Sequence, residues 1–288
     1  MIKQRSRTCW IAAFATFAAA HMLPAGSAIG EDEPKPSALS ALLQSSAEHL
    51  SIEAADPDAN RLALQPAPLM TYSDPARGYS AAAVWRIGKT GRPQGLLAIE
   101  FWPGVEESRG SLSYELLSFR DGQLSFSSPT GIDVELSANA IDWRTVPDTS
   151  DPSRTEAIRL RQMKRIASRI RVTETLEGEP YSLRALPRPI DRYEDTEEDI
   201  VDGAAFVFVY GTNPELLVLI ECDQDTWRYG LARMSSAQLQ IWLDDDLVSE
   251  FPELTLPFPT QDYQAASHRA DLPLDSDDTR AENKETMQ

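Results

Sequence analysis

The sequence predicts an α+β fold: a mainly antiparallel sheet of eight or more strands from two duplicated four-stranded meanders, with one long amphipathic helix packed on a face. Three observations predict it. Residues 203–244 divide into four short strands, residues 81–127 repeat the same plan, and residues 152–172 between them carry an apolar stripe at helical spacing.

Within 203–244, Ala204 to Tyr210 is an unbroken apolar run, Gly211 to Pro214 a turn cluster, and Leu216 to Ile220 a second run closed by Glu221. Trp227, Tyr229, Leu231 and Arg233 then alternate with Arg228, Gly230 and Ala232, and the alternation resumes at Leu239, Ile241 and Leu243. Runs that are apolar at every position suit strands buried on both faces, whereas alternation suits one wet face. The first hairpin should therefore be central. In 81–127, Gly88 answers to Gly211, Pro93 to Pro214, and the LLAIE ending at Glu100 to the LVLIE ending at Glu221. Tyr114 to Leu124 keeps the separation of Tyr229 to Leu239, with Leu116 matching Leu231. A site is then expected at the seam between the halves.

Taken in order, the chain opens with Lys3, Arg5 and Arg7, an apolar run from Cys9 to Ala20, and a small-residue end from Leu23 to Ala28. This is the pattern of a secretory signal peptide, so residues 1–28 are read as a signal cleaved after Ala28 and the protein as exported, periplasmic or extracellular. The apolar run is too short for an ordinary membrane span. Cleavage leaves Cys222 as the one cysteine, so stability must come from the core rather than from disulfides. Residues 29–65 read as a linker and a short helix bearing Leu39, Leu42, Leu43, Leu50 and Ile52, with His49 beside Glu48 as a surface or packing residue. Residues 66–258 read as a single α+β domain, in which Pro66, Pro68 and Pro75 exclude helix before the first meander.

The helix at 152–172 is expected to start with Asp151 as cap, Pro152 in the first position and Ser153 with Glu156 as a capping box. Ala157, Leu160, Met163, Ala167 and Ile170 form its apolar stripe. Its other face holds Arg154, Arg159, Arg161, Lys164, Arg165, Arg169 and Arg171. These cations either pair internally with nearby acidic loops, such as Glu194 to Asp199, or present residues such as Arg161 and Arg165 to an anionic partner. Residues 259–288 lose hydrophobicity and read as a disordered acidic tail.

The balance of 27 basic against 45 acidic residues gives a net charge of −18, more negative once the signal is removed. Such a chain is repelled by phosphate backbones, so no nucleic-acid partner is expected. There is no GxSxG, HExxH, P-loop, GxGxxG or CxxC pattern. The acidic loop lacks the alternating oxygens and turn glycine of a calcium loop, and no metal or cofactor is expected. Carboxylate chemistry needs only two acids held across a cleft, and Glu100 and Glu221 are the repeat-related pair; the plainer reading is two strand ends meeting water. Trp85, Trp102, Trp227 and Trp242 lie in or beside strands and belong either to the core or to an aromatic binding face. The preferred reading is a non-enzymatic envelope protein whose sheet binds a ligand or partner, either another envelope protein or a polysaccharide. A carboxylate-dependent glycan hydrolase and a structural envelope component are the alternatives.

Five local patterns carry a resemblance. They are GRP at Gly91–Pro93 after a Trp-containing strand, Arg159–Met163 as RxxQM, Leu183–Tyr193 as LRxLPxPxxRY, Asp202–Glu215 as DGAxFxFVxGTxPE, and Trp227–Met234 as WxYxLARM. Over roughly residues 66–250 the chain resembles a family of uncharacterised secreted proteins from planctomycete bacteria. The resemblance implies secretion and brings no activity, cofactor or catalytic residue with it.

Overall fold

The computed structural model describes residues 37–55, 62–74, 77–104, 109–176, 178–255 and 262–271. The chain divides into Met1–Lys35 and a compact unit Pro36–Gln288; the expected signal peptide lies outside the described residues. The compact unit begins with α1 (Ala38–Glu48), β1 (Ser51–Ala54), β2 (Met70–Asp74), β3 (Tyr79–Ile87), β4 (Gly95–Pro103), β5 (Arg109–Ser118), β6 (Leu124–Ser127), β7 (Asp133–Leu136) and β8 (Asp142–Thr145). It continues with α2 (Glu156–Ser168), β9 (Ile170–Leu176), β10 (Glu179–Ser182), β11 (Arg184–Ala185), β12 (Asp191–Asp195), β13 (Ile200–Tyr210), β14 (Asn213–Cys222), β15 (Trp227–Arg233), β16 (Gln238–Leu243), β17 (Asp246–Phe251) and β18 (Tyr263–Asp271).

The strands form four antiparallel sheets like successive blades, not one sheet of two meanders. The first is β1-β6-β7, the second β18-β5-β4-β3-β2, the third β11-β13-β14-β15-β8 with β12 also on β13, and the fourth β10-β9-β16-β17. Three strands of each expected meander are neighbours, but the fourth, β6 or β16, leaves for an outer sheet. The burial patterns give the reason. Every residue of β14 is buried, and β4 is buried from Gly95 to Phe101, so the second and third sheets need cover on both faces. In β6 and β16 buried positions alternate with partly exposed or exposed ones, which fits strands with one wet face.

Three cores separate the layers. One joins the first and second sheets with α1, through Trp85, Leu97, Phe126 and Leu43. The next joins the second and third sheets, through Val84, Leu96, Val207 and Leu219. The last joins the third and fourth sheets with α2, through Phe206, Val218, Ile241 and Met163. A similar order recurs in both halves, with β10 and β11 inserted in the second: a helix, a strand that will pair with the strand after the meander, an edge strand, and three meander strands. The closing strands are exchanged, since β8 pairs with β15 of the second half and β18 with β5 of the first.

Strand pairing corrects the alignment of the two turns. Ala82 faces Glu100 as Gly203 faces Glu221, which sets Ile87 against Phe208, so Gly88 does not answer to Gly211. Residues 88–94 form a long loop between β3 and β4, whereas only Gly211 and Thr212 join β13 to β14. Tyr114 and Tyr229 do occupy matching places, each one residue beyond the partner of the repeat-related glutamate.

Other boundaries also move. The helix expected over 152–172 is shorter, Glu156–Ser168 with 13 residues, and the short helix expected within 29–65 is α1, with 11. Thr155 stands at the N-cap of α2 without a side-chain cap bond, and the Gln162 side chain reaches back to accept from the Ser153 N–H at 3.0 Å. That contact replaces the expected capping box. At its other end α2 stops because Ile170 and Val172 enter the third core as part of β9. Residues 29–65 are not all linker, since Leu43, Ala47, Leu50 and Ile52 are buried against the second sheet. Tyr263–Asp271, expected within the tail, pairs with β5 along its length because Tyr263 fills a place in the middle core; residues 272–288 lie outside the described residues. No helix of the described residues is long and apolar enough to cross a membrane.

Candidate functional site

The seam between the second and third sheets is where the repeat-related glutamates point. In the first half one row of paired residues runs Tyr72, Ala82, Glu100, Ser113, and in the second Tyr193, Gly203, Glu221, Arg228. Both tyrosines donate to their glutamate, Tyr72 Oη to Glu100 Oε1 at 3.2 Å and Tyr193 Oη to Glu221 Oε1 at 2.7 Å. Both edge strands break register just beyond the tyrosine. Beyond this the sites differ.

Glu221 is fully buried and saturated. Arg92, from the long β3–β4 loop, donates Nε to Oε1 at 2.8 Å and a terminal nitrogen to Oε2 at 3.0 Å, and Arg228 Nε donates to Oε2 at 3.0 Å. Both guanidiniums lie over the Trp143 ring, at 5.0 and 4.8 Å from its centroid. The loop is pinned to the other half. The backbone N–H of Arg92 donates to Asp195 Oδ2 at 2.9 Å, and buried Arg86 donates to Asp191 Oδ2 at 2.6 Å and to the carbonyls of Gly88 and Gly91. Gly91 is required here, because its φ is positive and a Cβ would lie 2.4 Å from Asp195 Oδ2.

Among the described residues no guanidinium is bonded to Glu100. Its second oxygen accepts from Trp102 Nε1 at 3.2 Å, and burial pushes its carboxyl up to about 7. Its charged neighbours include Arg77, Asp74 and Glu115. Arg77 binds Glu215, bridges both oxygens of Glu174 at 2.9 Å, and lies 3.7 Å from Asp74. Burial raises the Glu215 carboxyl to about 8 despite Arg77, and holds Glu115 well above the usual range.

Glu100 thus sits by Glu215, at the start of β14, while Glu221 lies six residues further along that strand. Roughly 20 Å of strand separates the two ends. Glycosidic carboxylate pairs stand about 5–9.5 Å apart, so Glu100 and Glu221 do not straddle one bond. Neither lines any of the larger cavities.

The remaining candidates are dispersed as well. Trp85 is buried in the first core and Trp227 in the third, while Trp102 is half-buried at the seam and Trp242 lies half-buried under Arg171 on the fourth sheet. No common aromatic face exists among them, because strand alternation sends them to different layers. On α2, Arg159 binds Asp202 at 2.8 Å and Arg169 binds Asp244 at 2.7 Å, not the loop Glu194 to Asp199. Arg161 and Arg165 are exposed and make no ion pair among the described residues. Burial pushes the Cys222 thiol up to about 12, which makes it unreactive. His49 caps α1, with Nδ1 against the Ser45 carbonyl at 2.6 Å. The described residues hold no cluster of three or more metal-ligating side chains.

A cavity of about 850 Å³ opens at the Glu221 end of the seam. The β3–β4 loop forms one wall, with Lys89, Arg92 and Gln94, and β12 with its following turn forms the other, with Arg192, Glu194 and Glu197. Sequence reasoning pointed to the seam but missed Arg77, Arg92, Tyr72 and Tyr193. The only available signals were the GRP and RY patterns, which contain Arg92 and Tyr193. In comparisons with protein-family models, curated proteins and solved structures, nothing matched the chain.

Proposed function

We propose that the protein is a non-enzymatic, exported binding protein that takes a polypeptide segment of a partner into the seam groove. The groove itself carries this reading. It is open, about 850 Å³, and rimmed by cations and carboxylates together, with the Tyr193 and Phe119 rings buried beneath. A rim of both signs suits a partner segment carrying both charges, and the lack of an exposed aromatic platform makes it a poorer match for a neutral glycan. Export is supported by the basic start, apolar run and small-residue end of residues 1–28. The buried acids support a role in the fold rather than catalysis, since both oxygens of Glu221 are taken up by Tyr193, Arg92 and Arg228 and both oxygens of Glu100 by Tyr72 and Trp102.

An array of peptides carrying both Lys and Glu, probed with the full chain and with Lys89→Glu and Glu197→Lys, tests this. Binding that each charge reversal weakens about tenfold, with an unchanged unfolding midpoint, is the expected result. Peptide binding indifferent to both reversals, or neutral oligosaccharides that bind and respond to them, would overturn it.

A further inference from the structure

The two helices cover their sheets unequally. α2 buries Met163, Ile166 and Ala167 against the third sheet, whereas α1 buries only Leu43 and Ala47 against the second. Beside α1 this leaves a trough with a larger compartment of about 840 Å³ and a smaller one of about 210 Å³. Gln44, Glu48 and Trp85 line both compartments. The Gln44 amide spans the trough between them, donating to the Pro66 carbonyl and to Glu48 Oε1, each at 2.8 Å.

The floor includes Ala81 and Ala83 and leads to Trp85. Trp85 is 1 % exposed and its indole N–H has no partner among the described residues. A buried Trp N–H ordinarily finds an acceptor. Strand pairing sets Phe206 at the equivalent place in the second half, where no such donor arises. Among the described residues no Lys or Arg lines either compartment, and Glu48 supplies a carboxylate. An anionic head group would therefore meet only like charge.

We propose that this trough binds a neutral aliphatic chain bearing a carbonyl-type acceptor, with the chain over Ala81 and Ala83 and the acceptor on the Trp85 indole N–H. Its volume falls within the range of small-molecule sites, about 300–1,000 Å³. The site is independent of the seam groove.

The test titrates the full chain with monomyristin, a neutral ester, and with myristate, its anionic counterpart. The expected result is saturable one-to-one binding of monomyristin and weaker binding of myristate. Trp85→Phe, which copies the other half, should weaken monomyristin roughly three- to tenfold. Ala41→Phe, an exposed change that narrows the larger compartment, should abolish binding without altering circular dichroism, and so covers the case in which the Trp85 variant folds poorly. Absence of saturable monomyristin binding, binding untouched by Ala41→Phe, or myristate binding as tightly as the ester would each overturn the proposal.

Discussion

Glu221 and Glu100 hold the same place in the two halves, beside the same kind of tyrosine, yet one is gripped by two guanidiniums and the other by a phenol and an indole. Strand register fixes that both are buried, and the groups that reach them differ. The long β3–β4 loop carries Arg92 to Glu221. The two-residue β13–β14 turn delivers only Thr212, whose hydroxyl donates to the Ser73 carbonyl. Arg77 enters that end from the β2–β3 turn and places its two terminal nitrogens on Glu215 and Glu174 rather than on Glu100.

The largest effect should come from removing Arg77. Arg77→Ala takes the guanidinium from Glu215 and Glu174, both at most 1 % exposed, leaves Glu215 with the Asn213 amide, and is expected to cost about 3–5 kcal/mol above about pH 8, where the Glu215 carboxyl is ionised. Arg92→Ala leaves Arg228 and Tyr193 on Glu221, so its expected cost is smaller, about 1–3 kcal/mol. Guanidinium denaturation of both variants measures the contrast. Equal losses would break the asymmetry between the two ends.

Titration sharpens it next. The carboxyls of Glu100 and Glu215 lie near 7 and 8 in the folded protein, above the usual carboxylate range. Unfolded, each releases its proton at lower pH, so between about pH 4.5 and 8 the native state binds more protons. Stability from this cluster is then complete below that window and is lost as pH rises through it, at up to about 1.4 kcal/mol per pH unit for each retained proton. Glu100→Gln and Glu215→Gln should each flatten the slope of unfolding free energy against pH. A slope unchanged in both would place the titration elsewhere.

How much of this was legible beforehand follows from what a single strand can record. The doubly apolar runs of β4 and β14 announced central strands, and the shared glutamate and tyrosine spacings announced the repeat. Departure of β6 and β16 to outer sheets was written in their alternation, but alternation does not say which sheet a strand joins. The guanidinium partners of Glu221 lie 129 and 7 residues away in sequence, and only the latter falls in a neighbouring strand that a local reading could pair. The Arg77 cluster draws on three separate segments, with no local motif to mark it.

The smallest effect tests whether the rows are truly equivalent, at Gly203 and its counterpart Ala82. A Cβ on Gly203 would stand 2.4 Å from Tyr193 Cε2 and 2.7 Å from Cζ, so the ring lies directly on the glycine. The ring has little freedom to retreat, because its hydroxyl is fixed on Glu221 and the Arg86 guanidinium lies 5.8 Å from its centroid. Gly203→Ala should therefore cost about 1–3 kcal/mol, as overpacking does. Across the seam, Tyr72 already accommodates the methyl of Ala82, and its bond to Glu100 is longer. Ala82→Gly should cost only about 0.5–1 kcal/mol, the backbone entropy of a strand glycine with a small loss of packing. If Gly203→Ala proves no worse than Ala82→Gly, Tyr193 can move. The tight tyrosine–glutamate contact would then not be what distinguishes the Glu221 end from the Glu100 end.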